Sequence, residues 1–65
     1  MSSSAAELSS LATALDDLTR RVTAIAEGYA RSSRDDLATE LYQVERALVG
    51  ARRGLAKVVD GSRPR

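Results

Sequence analysis

The sequence predicts an all-α protein: two amphipathic helices folded back on each other as an antiparallel hairpin, a short coiled coil that dimerises into a four-helix bundle. Two apolar sets recur at alternating spacings of three and four residues, the heptad pattern of coiled coils. A polar segment separates the two sets. No stretch alternates polar and apolar residues in the way that a half-buried strand does. The chain is therefore expected to form one helical domain over residues 1–65.

Helix 1 is expected at about residues 4–30. Its apolar set consists of Leu8, Leu11, Leu15, Leu18, Val22, Ile25 and Tyr29. In the heptad abcdefg we place Leu8 at a and Leu11 at d, so that a and d together form the predicted seam between the helices. Ser4 followed by Glu7 fits a capping box, in which each side chain satisfies a free backbone N–H at the helix start.

Helix 2 is expected at about residues 34–60, followed by a tail at 61–65. Its apolar set consists of Leu37, Leu41, Val44, Leu48, Ala51, Leu55 and Val58. Leu41 is at a and Leu37 is at d. Ser33 followed by Asp36 fits a second capping box, and Gly61 and Pro64 are typical of a helix C-terminus.

The turn is expected at about residues 31–34. In an antiparallel hairpin an a residue faces a d residue, so the numbers of facing residues share a constant sum. That sum is 66 when the turn is centred on Ser33, as for Leu15 with Ala51. Sums of 59 or 73 also satisfy the heptads but move the turn out of the polar segment. One continuous helix is the alternative, because no proline lies between residues 29 and 37.

A chain of 65 residues buries a small core, and small domains often need a staple or a second copy. There is no cysteine and no histidine, so a disulfide or a zinc–thiolate staple is excluded. A homodimer is the remaining common solution. Small residues flank the seam and would let another helix approach closely: Ala5, Ala12 and Ala26 at e, and Ala14, Ala47 and Gly54 at g.

Catalytic, metal and cofactor sites are not predicted, and we expect a protein that is not an enzyme. The usual general base and thiol nucleophile are missing, and the glycines lack phosphate-loop spacing. Adjacent carboxylates, as in Asp16–Asp17, point about 100° apart on a helix and do not converge. They are expected instead to pair with Arg20 and Arg21, four residues further on.

The cellular setting is expected to be a bacterial cytoplasm. No apolar run approaches the ~18 residues of a membrane span. The first residues also lack the basic and apolar regions of a secretory signal. Arginine predominates among the basic residues and alanine is abundant, a bias typical of GC-rich bacterial genomes.

Helix 2 carries a second apolar strip, with Tyr42, Val49 and Ala56 at b and Val59 nearby. The leading functional prediction is a self-associating interaction, adaptor or regulatory module that presents this helix to an unidentified protein partner. The predicted partner interface consists of Tyr42, Glu45, Arg46, Val49, Arg53 and Val59.

Nucleic-acid binding is one alternative function. Arg46, Arg53 and Lys57 run along the outer face of helix 2 with Arg52 beside them, and helix 1 adds Arg20 and Arg21. Such a row of basic residues could track phosphates. The formal net charge is only +1, whereas proteins that read a duplex are usually clearly basic. Any binding is therefore expected to be weak, and nucleic acid is an unlikely partner.

A further alternative comes from five residues at intervals of 4, 3, 4 and 4: Glu45, Val49, Arg52, Ala56 and Asp60. The pattern resembles certain actinobacterial anti-sigma factors, which carry Glu, Ser, Arg, Gln and Asp at these intervals on an antiparallel helical hairpin. Glu45, Arg52 and Asp60 match, whereas Val49 and Ala56 replace the Ser and the Gln. The resemblance implies a nucleotide-controlled regulator that binds cyclic di-GMP through the three matching residues.

Overall fold

The computed structural model describes residues 3–62, which form two α-helices joined by a short turn. Helix α1 runs from Ser3 to Arg31, and helix α2 runs from Asp35 to Ser62. The helices pack against each other, which confirms the all-helical hairpin and excludes one continuous helix. Each helix begins and ends within two residues of its predicted position. Helix α2 includes Gly61, which was expected to follow it, and the predicted stop signal at Pro64 lies outside the described residues.

The end of α1 is a Schellman motif centred on Ser33. The Arg34 N–H donates to the Tyr29 carbonyl at 2.8 Å, and the Ser33 N–H donates to the Ala30 carbonyl at 3.3 Å. These two bonds satisfy carbonyl groups that the last turn of a helix leaves without partners. The motif requires a left-handed residue, and Ser33 has φ of 64°. A serine therefore occupies a position that glycine usually fills.

The start of α2 differs from the predicted capping box. Ser33 is committed to the end of α1, and the first helical bond of α2 runs from the Ala38 N–H to the Arg34 carbonyl at 3.0 Å. Asp36 is instead held by the Arg34 guanidinium through two hydrogen bonds of 3.2 Å. This guanidinium, together with the Leu37 backbone N–H, lowers the pKa of the Asp36 carboxyl from 3.8.

The seam between the helices corrects the predicted one. The most buried side chains in the described part of the chain are Ala26, Ala38 and Thr19, with 0%, 4% and 7% exposure, and all three are at e. The a residues are half-buried on both helices. Of the predicted seam residues at d, Leu37 beside the turn is half-buried, and the other six are exposed: Leu11, Leu18, Ile25, Val44, Ala51 and Val58. The helices therefore meet through a and e rather than a and d.

Side-chain size explains this correction. On α1 the e row consists of alanine and threonine, which let the two helix axes approach closely, whereas the leucine and isoleucine at d would hold them apart. Thr19 is compatible with burial because its hydroxyl donates to the Leu15 carbonyl at 2.7 Å. The e row of α2 starts with the buried Ala38 and continues with longer side chains that stay half-buried: Glu45, Arg52 and Val59. The small e row of α1 is therefore the row that permits the close contact.

Rotation of both helices toward e divides the hairpin into two unlike faces. Around a helix, a lies between d and e, so the d row emerges on the side opposite to e. Antiparallel helices wind in opposite senses when viewed from one end, so both d rows emerge on the same side of the hairpin. We call this side the apolar face, defined by Leu11, Leu18, Ile25, Val44, Ala51 and Val58. We call the opposite side the polar face after the b residues of α1, Ser9, Asp16 and Thr23; on α2 the same side carries the b residues of the second apolar strip, Tyr42, Val49 and Ala56.

Candidate interaction surfaces

The apolar face is a continuous strip along the hairpin. Its large side chains keep between 44% and 55% of their surface exposed. The half-buried a rows lie directly beneath them, and none of the a and d positions in 8–29 and 37–58 carries a charge. A strip of this length is more than the scattered single apolar residues of an ordinary surface, and such strips mark sites of association.

The rims of the apolar face are formed by the two g rows. They hold Glu7, Ala14, Arg21 and Gly28 on α1, and Glu40, Ala47, Gly54 and Gly61 on α2. No neighbouring atom lies within 4 Å of where a Cβ would stand on any of the three glycines. The rims are therefore open, and most of their positions present little side-chain bulk to an approaching helix.

The polar face is linked across the seam by an ion pair. Asp16 accepts a hydrogen bond from Arg52 of α2 and also pairs with Arg20 at 3.1 Å, which confirms the predicted pair within α1. The other predicted pair, Asp17 with Arg21, has a separation of 3.6 Å. The cross-helix pair was not predicted, although the numbers of Asp16 and Arg52 add to 68, close to the predicted sum of 66. Both of its side chains are more than a third exposed, so it contributes about 1 kcal/mol or less.

A shallow groove of about 400 Å³ runs beside this ion pair. Its lining is Ser9, Ala12, Thr13, Asp16, Arg52, Arg53 and Ala56. The groove is open to solvent, and Arg52, its half-buried cation, already donates to Asp16. The two charged side chains of the cross-helix ion pair are therefore engaged with each other, whereas Arg53 is an exposed part of the lining.

The residues predicted to bind a partner fall into two groups. Tyr42, Arg46 and Arg53 are exposed on α2. Glu45, Val49 and Val59 are half-buried. The first three residues are therefore the more accessible part of the predicted interface.

The residues of the nucleotide-binding resemblance are spread along α2. Glu45 and Arg52 are half-buried, whereas Asp60 is exposed. Fifteen residues separate Glu45 from Asp60, which corresponds to about 22 Å along the helix axis. Arg52 is held by Asp16 from α1. The hairpin therefore does not gather these three residues around one small pocket.

The basic residues proposed to follow phosphates are also divided. Arg20, Arg21 and Arg52 are paired with Asp16 or Asp17, so their charge is largely compensated. Arg46, Arg53 and Lys57 are exposed on α2. This leaves a short basic row on one helix rather than a basic face across both.

Two kinds of feature are absent from residues 3–62. Neither helix combines the length and the apolar character that crossing a membrane requires. Within the same range, no three potential metal ligands come together in a group.

The sequence does not identify the apolar face, because the heptads predict that its residues lie in the seam. The signal that favours the observed seam is the row of small e residues on α1, which allows a closer contact with α2. Comparison of the chain with family models, with curated proteins and with solved structures finds no match. The surfaces described above are therefore the basis for any functional proposal.

Proposed function

We propose that this chain is a non-enzymatic interaction module that works as a self-associated helical hairpin. The observation that carries the proposal is the exposed apolar face. Its five largest side chains lie half in water in the single hairpin, although they belong to the heptads that specify helix packing. Covering them with another helical surface would remove this apolar area from water, which is the main driving force of association.

Helix-on-helix docking is the proposed mechanism. Apolar side chains would supply the affinity between the hairpins. The exposed outer residues of α2, Tyr42, Arg46 and Arg53, would then remain free for a protein partner. The lack of histidine and cysteine, and the engagement of the groove's ion pair, support a binding role over a catalytic one.

Light scattering across a range of protein concentrations, combined with thermal melts at the same concentrations, tests this proposal. A self-associated protein should show twice the chain mass of 7.0 kDa, and its melting temperature should rise with concentration. A mass of 7.0 kDa at every concentration, with a melting temperature that does not change, would contradict it.

A further inference from the structure

We infer that the apolar face is covered by the apolar face of a second copy, with both turns at the same end of the resulting four-helix bundle. Helix α1 of each copy then lies over helix α2 of the other. The inference rests on the proposed self-association and adds which face is used and how the copies are oriented.

The size of the face fits a second copy. The Cα atoms of the hairpin extend over 51 Å by 14 Å in its two longest directions. That rectangle corresponds to about 700 Å², close to the ~800 Å² that each partner buries in a standard interface.

The charge distribution also favours self-association. An interface between two copies related by a two-fold axis uses the same patch on both, so the patch must complement itself. A charged patch would repel its own copy, whereas the a and d rows of the apolar face carry no charge. The charged residues of the g rows are three, Glu7, Arg21 and Glu40, and they lie at the edges.

Side-chain size selects the orientation of the second copy. The exposed row of α1 is large, with Leu11, Leu18 and Ile25, whereas the exposed row of α2 is smaller, with Val44, Ala51 and Val58. If the turns lie at the same end, each α1 row meets an α2 row, and large side chains face small ones throughout. If the turns lie at opposite ends, the two α1 rows meet each other and the two α2 rows meet each other. The first arrangement gives evenly filled layers, and the second gives one crowded and one underpacked side.

The rims are compatible with the same arrangement. The g row of α1 then faces the g row of the other copy's α2. Residues at the same level along the bundle are those whose numbers add to 68, as they do for Asp16 and Arg52 within one hairpin. The facing pairs are Glu7 with Gly61, Ala14 with Gly54, Arg21 with Ala47, and Gly28 with Glu40. Each charged side chain therefore meets a small residue and can extend to solvent, and no two like charges meet.

A pulsed electron paramagnetic resonance measurement between spin labels on Ser32→Cys tests the orientation. The chain has no cysteine, so each copy carries one label at its exposed turn. Turns at the same end should give a label separation below about 30 Å, because packed helices lie roughly 8–10 Å apart. Turns at opposite ends should give a separation approaching the 51 Å length of the hairpin.

Gly50→Cys supplies the matched control, since Gly50 is exposed near the middle of α2 with open space around it. A label there should show a short separation in either orientation, and it therefore reports self-association alone. Short separations at both positions support the inference. A short separation at Gly50→Cys with a long one at Ser32→Cys would overturn the same-end arrangement and leave self-association standing. The absence of dipolar coupling at both positions would overturn the inference and the proposed self-association together.

Discussion

The two faces of this hairpin belong to the same two helices and the same heptad repeat, yet they differ in how their side chains are satisfied. One face carries an ion pair that joins the helices, and the other carries large apolar side chains that remain exposed. On the polar face, Asp16 and Arg52 join the helices across the seam, and Asp16 also pairs with Arg20. On the apolar face, large aliphatic side chains such as Leu18 and Ile25 remain about half exposed. The ion pairs of the polar face are therefore formed within one chain. The apolar face has the composition of a protein interior, but its side chains are not buried as interior side chains are. We therefore expect a second helical surface to pack against it.

The largest expected effect on stability comes from placing a charge in the half-buried a row, which lies between the two faces. Leu48→Asp should cost several kcal/mol and unfold the hairpin, because a carboxylate without a partner is strongly disfavoured in an apolar seam. Circular dichroism and a thermal melt measure the loss of helix. Leu48→Met, which conserves volume and polarity, should cost less than about 1.5 kcal/mol. Unaltered helicity in Leu48→Asp would show that the a row does not form the core.

The close contact through e distinguishes the observed seam from the one the sequence predicts. Ala26→Leu should destabilise the hairpin by about 1–3 kcal/mol, since Ala26 is fully buried and a larger side chain would force the helices apart. Ala24→Leu is the control, because Ala24 is exposed on the outside of the same helix. Chemical denaturation measures both variants. Equal stability of the two would mean that the helices do not meet through the e row.

The ion pair of the polar face should contribute less. Asp16→Asn removes the link to α2 and should cost about 1 kcal/mol or less, with the loss shrinking at high salt because the pair is partly exposed. Asp17→Asn removes only pairs within α1 and should cost still less. Denaturation at low and high salt compares the two variants. A larger loss for Asp17→Asn would contradict the assignment of Asp16 as the link across the seam.

A substitution in the turn should change the stability of the hairpin by a similar or smaller amount than Asp16→Asn, but in the stabilising direction. Ser33→Gly should stabilise the hairpin by about 1 kcal/mol, since glycine adopts the left-handed conformation of Ser33 without a steric penalty. Ser32→Gly, one residue earlier and with a φ that is not positive, should bring no such gain. Thermal melts of both variants decide the matter. Destabilisation by Ser33→Gly would argue against the Schellman motif.

The sequence predicts the helices and the turn well because their signals are local and repeated. The heptads specify two helices, and the eight-residue step from Tyr29 to Leu37 marks the break between them. The sequence predicts Ser33 at the start of α2, because serine is common in helix caps and no glycine at the turn marks a left-handed residue. The structure places it at the end of α1.

The sequence does not reveal which rows the two helices share. A heptad of large apolar residues at a and d is equally suitable for a two-helix seam and for the interior of a four-helix bundle. The choice depends on how closely the helices approach, which is a property of their packing and not of either helix alone. Leu18 and Thr19 illustrate the point, because the polar residue is buried and its apolar neighbour is exposed.

The central claim, that the apolar face is covered by another copy, is tested most directly by comparing two neighbouring substitutions in sedimentation equilibrium. Ile25 and Ala24 are both exposed in the single hairpin, but only Ile25 is on the apolar face. Ile25→Asp should reduce the mass to the 7.0 kDa of one chain, because it would place a charge in the covered interface. Ala24→Asp should retain twice that mass. If the two variants sediment with the same mass, the apolar face is not where the copies meet.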